Sequence, residues 1–93
     1  MPEQSIGIVE CRGITASIEA ADAMVKAADV EVVATQKIGS ALIYIVISGK
    51  VAAVEAAVKA GRESAAIYGE LYASGIIPRP TSEVMKIISI ISK

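Results

Sequence analysis

Residues 30–49 read VEVVATQKIGSALIYIVISG, two apolar runs on either side of the turn Gln36-Lys37-Ile38-Gly39-Ser40-Ala41. In the first run Val30, Val32, Ala34 and Ile38 share one parity and Glu31, Thr35 and Lys37 take the other, the pattern of a half-buried strand. In the second, Leu42-Ile43-Tyr44-Ile45-Val46-Ile47 is apolar at every position, as expected of a central strand covered on both faces. Gly39-Ser40 is a Gly-X pair with the chemistry of a two-residue II′ turn, since glycine enters positive φ without steric cost. The stretch is a hairpin whose tip is small, polar and rich in backbone.

Working outward, Ser5-Ile6-Gly7-Ile8-Val9-Glu10-Cys11-Arg12 reads as an earlier strand ended by Gly13. Between that strand and the hairpin, Ile18, Ala21, Val25 and Ala28 recur at helical spacing as one apolar stripe, with Thr15 as the expected N-cap. Glu19, Asp22, Lys26 and Asp29 make a charged stripe opposite, and Asp22 precedes Lys26 by four residues in the favourable order. After Gly49 a second helix is expected, with Val51, Val54, Val58, Gly61 and Ala65 on its apolar face and Glu55, Lys59 and Arg62 outside. Gly61 is expected to leave room for a neighbouring backbone. That helix stops near Gly69, and Glu70 to Ile77 gives a fourth strand. Pro78-Arg79-Pro80 ends it, because neither proline can donate to a ladder. Thr81 to Lys93 is periodic through Val84, Ile87, Ile88 and Ile91, which predicts a short C-terminal helix.

The order βαββαβ, with DAMVKA at 22–27 echoed by EAAVKA at 55–60, is the trace of a duplicated split βαβ unit. The fold class expected is α/β, more narrowly α+β: a ferredoxin-like domain with a four-stranded antiparallel sheet and both long helices on one face. No linker divides the chain, so residues 1–93 are read as one domain with its core over about 5–80 and a C-terminal segment over 81–93. Of the 93 residues 54% are hydrophobic, more than a lone domain of this size needs. The charge-free stretch from Ile38 to Gly49 falls well short of the ~20 residues that span a bilayer, so self-association is the better outlet than a membrane. A net charge of −1 offers no basic field for a nucleic acid. Met1-Pro2-Glu3-Gln4 lacks the basic and apolar regions of a secretory signal and Cys11 is a lone thiol, which together point to the cytosol.

Catalytic chemistry is hard to build from these residues. There is no histidine to act as general base or ligand, and Cys11 has neither a histidine partner nor a second thiol. No metal cluster and no glycine pattern for a nucleotide cofactor is found, so no cofactor is expected and the chain is read as a non-enzyme. Cys11 is read as a small buried residue at a strand end.

Three linked segments carry a resemblance: Glu19 to Ala28, Lys37-Ile38-Gly39-Ser40, and Ile77-Pro78-Arg79-Pro80. In order and spacing they resemble the shell domain of bacterial microcompartments, from about Ile6 to about Pro80. The resemblance implies a cyclic homohexamer that tiles edge to edge, with other hexamers and shell proteins, into the facets of a shell around metabolic enzymes. It also implies a central pore for small polar metabolites, lined by Lys37, Ile38, Gly39 and Ser40 with Ser40 at the narrowest point, and edge contacts by Lys26 and Arg79. The chain departs from the usual family pattern at Ala41, Ser48-Gly49-Lys50, Gly75 and Thr81. Apolar Leu42 and Ile43 stand where carboxysome members often carry a basic residue, which favours a catabolic organelle over a carboxysome. The competing class is a small-molecule-binding regulatory module of ferredoxin-like fold.

Overall fold

The computed structural model describes residues 4–91. Its elements follow in the order β1 (Ser5–Arg12), α1 (Ile14–Ala27), β2 (Glu31–Ile38), β3 (Leu42–Gly49), α2 (Val51–Tyr68), β4 (Glu70–Ile77) and α3 (Ser82–Ile91). The four strands form one sheet in the order β2-β3-β1-β4 with every neighbour antiparallel. This is the expected ferredoxin-like arrangement, and the last two residues of the predicted C-terminal helix lie outside the described residues. Alternation sorts the sheet into two faces. Val9, Cys11, Ile45 and Ile47 pack under α1 and α2, while Ile6, Tyr44 and Val46 pack under Ile88 and Val84 of α3 on the other side.

Close approach governs the helix layer. A Cβ at Gly7 of β1 would lie 2.6 Å from Val58 Cγ2 and 2.8 Å from Val54 Cγ1, so α2 rests directly on the backbone of β1. At Gly61 a Cβ would lie 2.7 Å from Met24 Cγ. The space that Gly61 leaves is therefore filled by the Met24 side chain of α1 and not by a backbone, as the sequence suggested. Ala57, absent from the expected apolar face of α2, is buried beside Val54, Val58 and Ala65, whereas Val51 is exposed.

Three sequence expectations are corrected. The expected apolar stripe of α1 faces the core only in part: Ala21 and Ala28 pack against it, but the buried residues are Ala16, Ser17, Ala20 and Met24, while Ile18 and Val25 are 63% and 45% exposed. The small residues turn inward because α1 must come close to α2, and this leaves the β-branched ones outside. The cap of α1 is Gly13 rather than Thr15, which lies inside the first turn. In β2, Val32 pairs with Ile47 and Ala34 with Val46, so Val33 is an extra residue in a β-bulge. The bulge reverses parity, and Val30 joins the helix-side core whereas Ala34 joins the α3 side.

The contact at Gly7 gives a direct test. Gly7→Ala should lower stability by about 1–3 kcal/mol through overpacking against stiff valines. In a Val58→Ala background the same change should cost clearly less. Urea midpoints of the four proteins at one concentration measure this, and simple additivity would show that α2 does not press on β1.

Candidate functional site

The predicted turn is the exposed tip joining β2 to β3. Ile38 pairs with Leu42, so the tip has three residues, Gly39-Ser40-Ala41, and not the two of a II′ hairpin. The reason glycine is needed survives the correction: Gly39 has φ +65 and is, with Gly13, one of two described residues at positive φ. Gly39 and Ser40 are exposed, as are Lys37 and Ile38 before them. Lys37 pairs with Ile43, which pairs with Cys11 of the helix-side core, so Lys37 belongs to the helix face of the sheet. Among the described residues, one backbone bond ties the tip to an element outside its own hairpin, from Gly13 N–H to the Ala41 carbonyl at 2.9 Å.

The two predicted edge residues lie at the other end of the strands. Lys26 occupies the last turn of α1, where its charge complements the helix dipole, and it pairs with Asp22 at 3.0 Å while staying largely exposed. The exit of α1 packs onto the end of β3, since a Cβ at Gly49 would lie 3.0 Å from the Asp29 carbonyl. Gly49 in turn pairs with Ser5, whose hydroxyl donates to the Pro78 carbonyl at 2.8 Å and holds the chain just before Arg79. Arg79 is exposed between its two prolines. The structure thus brings Lys26 and Arg79 to one end of the sheet and Lys37 to Ser40 to the other. An eight-residue strand separates the two ends by roughly 23 Å.

Sequence reasoning missed one cluster near the tip. Arg12, the last residue of β1, donates to Tyr72 Oη at 3.0 Å, sits 5.4 Å from the centre of that ring, and pairs with Glu70 at 3.4 Å. Strand register was its only signal, because Arg12 pairs with Glu70 across β1 and β4. Cys11 is buried as expected, and burial pushes its thiol pKa up, away from the reactive thiolate. Among the described residues no group of three or more acidic, cysteine or histidine side chains could hold a metal, and no helix is long and apolar enough to cross a membrane.

The family model of the BMC domain matches residues 5–80. The chain is 49% identical over 88 residues to the bacterial microcompartment shell protein PduA of Citrobacter freundii, covering 95% of each. To the shell protein EutM of Salmonella typhimurium it is 42% identical over 87 residues, covering 94% of this chain and 91% of that one. The carboxysome shell protein CsoS1A of Hydrogenovibrio crunogenus is 39% identical over 90 residues, at 96% and 94% coverage. A crystal structure of a microcompartment protein from Desulfitobacterium hafniense DCB superposes with a TM-score of 0.82 at 37% identity over 96% of this chain, which spans 48% of that longer one. The chain belongs to the BMC domain family. Its role is that of a single-domain structural shell protein, and identity is higher to the two metabolosome-type relatives than to the carboxysome one.

The tip geometry carries its own test. Gly39→Ala should cost about 1–2 kcal/mol because an L-residue is strained at φ +65 although nothing crowds the position. Gly39→Asn should cost less, asparagine being the side chain that best tolerates this region. Equal losses in thermal or urea unfolding would place residue 39 at negative φ.

Proposed function

We propose that this chain forms a homohexamer in the cytoplasm, that the hexamers tile with one another and with other shell proteins into the facets of a catabolic microcompartment, and that the β2–β3 tip lines a central pore. The chain is read as non-catalytic, as one domain, and as free of contact with nucleic acid or membrane. The enzymes enclosed by such a shell are its neighbours on the luminal side. The observation that carries the reading is the placement of the tip and of Lys26 and Arg79 at opposite ends of the same four strands. A ring of such domains with strands running outward from the axis puts every tip at the centre and every Lys26 and Arg79 on the rim.

The flanks fit a ring as well. Beside β2, the outward residues Ile14 and Ile18 of α1 and Val32 of the edge strand leave apolar surface, and beside β4 so do Ile67, Tyr68 and Tyr72. These are different surfaces on opposite sides of the sheet, so their contact is heterologous and closes by rotation. At the rim, Lys26 stems from two hexamers can lie antiparallel and cover apolar surface, while Arg79 reaches carbonyl acceptors with its fork of donors. Lys26→Asp should leave the hexamer mass unchanged but abolish extended sheets and tubes, because each edge then buries an unpaired carboxylate beside Asp22. Light scattering and electron microscopy read the two outcomes, and regular sheets of the variant would remove Lys26 from the edge.

At the axis, Ser40 adds a ring of hydroxyls that both donate and accept. A small polar metabolite replaces its water hydrogen bonds there, whereas a less polar solute such as an aldehyde leaves partners unsatisfied at about 1–3 kcal/mol each. About 1.4 kcal/mol is already tenfold in rate. Ser40→Leu should keep the hexamer and slow growth on a limiting polar substrate in cells whose shells rely on this chain as their hexamer. Unchanged growth with intact shells would mean that the substrate enters elsewhere.

A second reading, the ligand-binding regulatory module, has one observation in its favour. An open cleft of about 650 Å³ lies between the β2 end of the sheet and the start of α3, lined among others by Asp29, Glu31, Ile6, Val33 and Met85. Discrete dimers or trimers, in place of sheets, would favour it.

A further inference from the structure

The β1–α1 corner holds the tip by one bond, and the corner can make that bond only because its residue is glycine. Gly13 N–H donates to the Ala41 carbonyl at 2.9 Å, just beyond the last cross-strand pair of β1 with β3, Arg12 with Leu42. The Gly13 carbonyl accepts from Ser17 N–H at 3.1 Å, the first bond of α1. These two groups point to different elements because Gly13 adopts φ +103 and ψ 137, a region open essentially to glycine. Crowding is not the reason, since a Cβ there would meet nothing within 4 Å. Gly39 and Ser40, the rest of the tip, are exposed, and among the described residues the Gly13–Ala41 bond is the backbone link between the tip and anything outside its own hairpin.

We infer that Gly13 is a positioning residue for the pore: its N–H fixes Ala41, and through Ala41 it fixes where Ser40 sits relative to the axis. This rests on the reading of residues 37–40 as the pore lining. Three features work together. Arg12 pairs with Leu42 of β3 and Glu70 of β4 and its side chain reaches Tyr72 and Glu70, so the strand end that carries Gly13 is tied to both neighbouring strands. α1 begins at Gly13 and is packed along its buried face, so the donor is held from behind. Ala41, like every described residue other than glycine, lies at negative φ, so the tip returns to β3 in ordinary backbone once past Gly39. Gly39 and Ser40 are thereby carried between two held points, the Ile38–Leu42 pair and the Gly13–Ala41 bond.

The test replaces Gly13 by glycolic acid, which exchanges the N–H for an ester oxygen and keeps both the carbonyl and the freedom at φ. Chemical ligation at Cys11, two residues earlier, gives access to this protein. Hexamer mass and sheet formation should be unchanged, amide exchange of Leu42, the first ladder residue beyond the tip, should rise about tenfold, and shells with this chain as their hexamer should lose about threefold in their preference for glycerol over propanal. Gly13→Ala, which keeps the N–H but cannot hold φ +103, should move both readouts in the same direction and serves if the ester does not fold. Unchanged exchange at Leu42 overturns the inference. Raised exchange with an unchanged preference, in shells where Ser40→Leu does alter passage, overturns the link from Gly13 to the aperture. If Ser40→Leu alters nothing, the pore reading itself fails, and the exchange data alone decide whether Gly13 fixes the tip.

Discussion

Gly7 and Gly61 have no room for a Cβ, and that closeness between helices and sheet sets most of what the molecule presents to the outside. With α2 resting on β1 and Met24 filling the notch at Gly61, the interior between the layers is shallow and takes alanines: Ala16, Ala20, Ala57 and Ala65 are all fully buried. An amphipathic helix on a deeper core would turn its isoleucines and valines inward. Here Ile14, Ile18 and Val25 are displaced to the surface by the same geometry that buries the alanines. Covering such side chains is favourable by about 1.5–3 kcal/mol each. Close packing within the domain therefore creates the driving force for association between domains.

The fold was legible because its evidence is redundant along the chain. An unbroken apolar run at 42–47, prolines at 78 and 80, and glycines at 13, 49 and 69 each mark a boundary, and all seven elements lie where the pattern puts them. What failed to be legible has a common cause. The buried stripe of α1, the role of Gly61 and the bulge at Val33 are decided by how near a second element comes, and a one-dimensional pattern does not carry that distance. Val32-Val33 looks like two strand residues of opposite parity until the pairing with Ile47 and Val46 shows that one of them is extra. The tip shows the same limit, since Gly39 was correctly singled out for positive φ while the count of tip residues depended on register.

The roles proposed for Lys26, Arg79 and the tip residues were legible only through resemblance. Each is an exposed residue with no unusual local chemistry: Lys26 makes an ordinary i,i+4 pair on a helix, and Ser40 is a serine in a turn. Their significance is relational. Antiparallel strands of equal length put β1's end, the β2–β3 tip and the start of β4 together, and the exit of α1, the end of β3 and the Pro78 segment at the far side. A sheet of this kind acts as a ruler, and two sets of residues about one strand length apart keep their separation whatever happens to surface charge between them.

That relational character separates such a surface from a catalytic site. A catalytic site concentrates free energy in a few desolvated groups, and its signature is a perturbed, buried cluster. A tiled layer instead repeats a weak contact at every edge, and identical copies held in one plane gain from each neighbour that is already in place. Exposed charged contacts are worth about 0–1 kcal/mol alone, so in the proposed sheet one Lys26 contact by itself would not hold two neighbours together. Repeated contacts of that kind would suffice only if all of them were geometrically the same. Such a layer would demand rigidity of each chain, which is what a glycine-seated helix pair on a four-stranded sheet supplies.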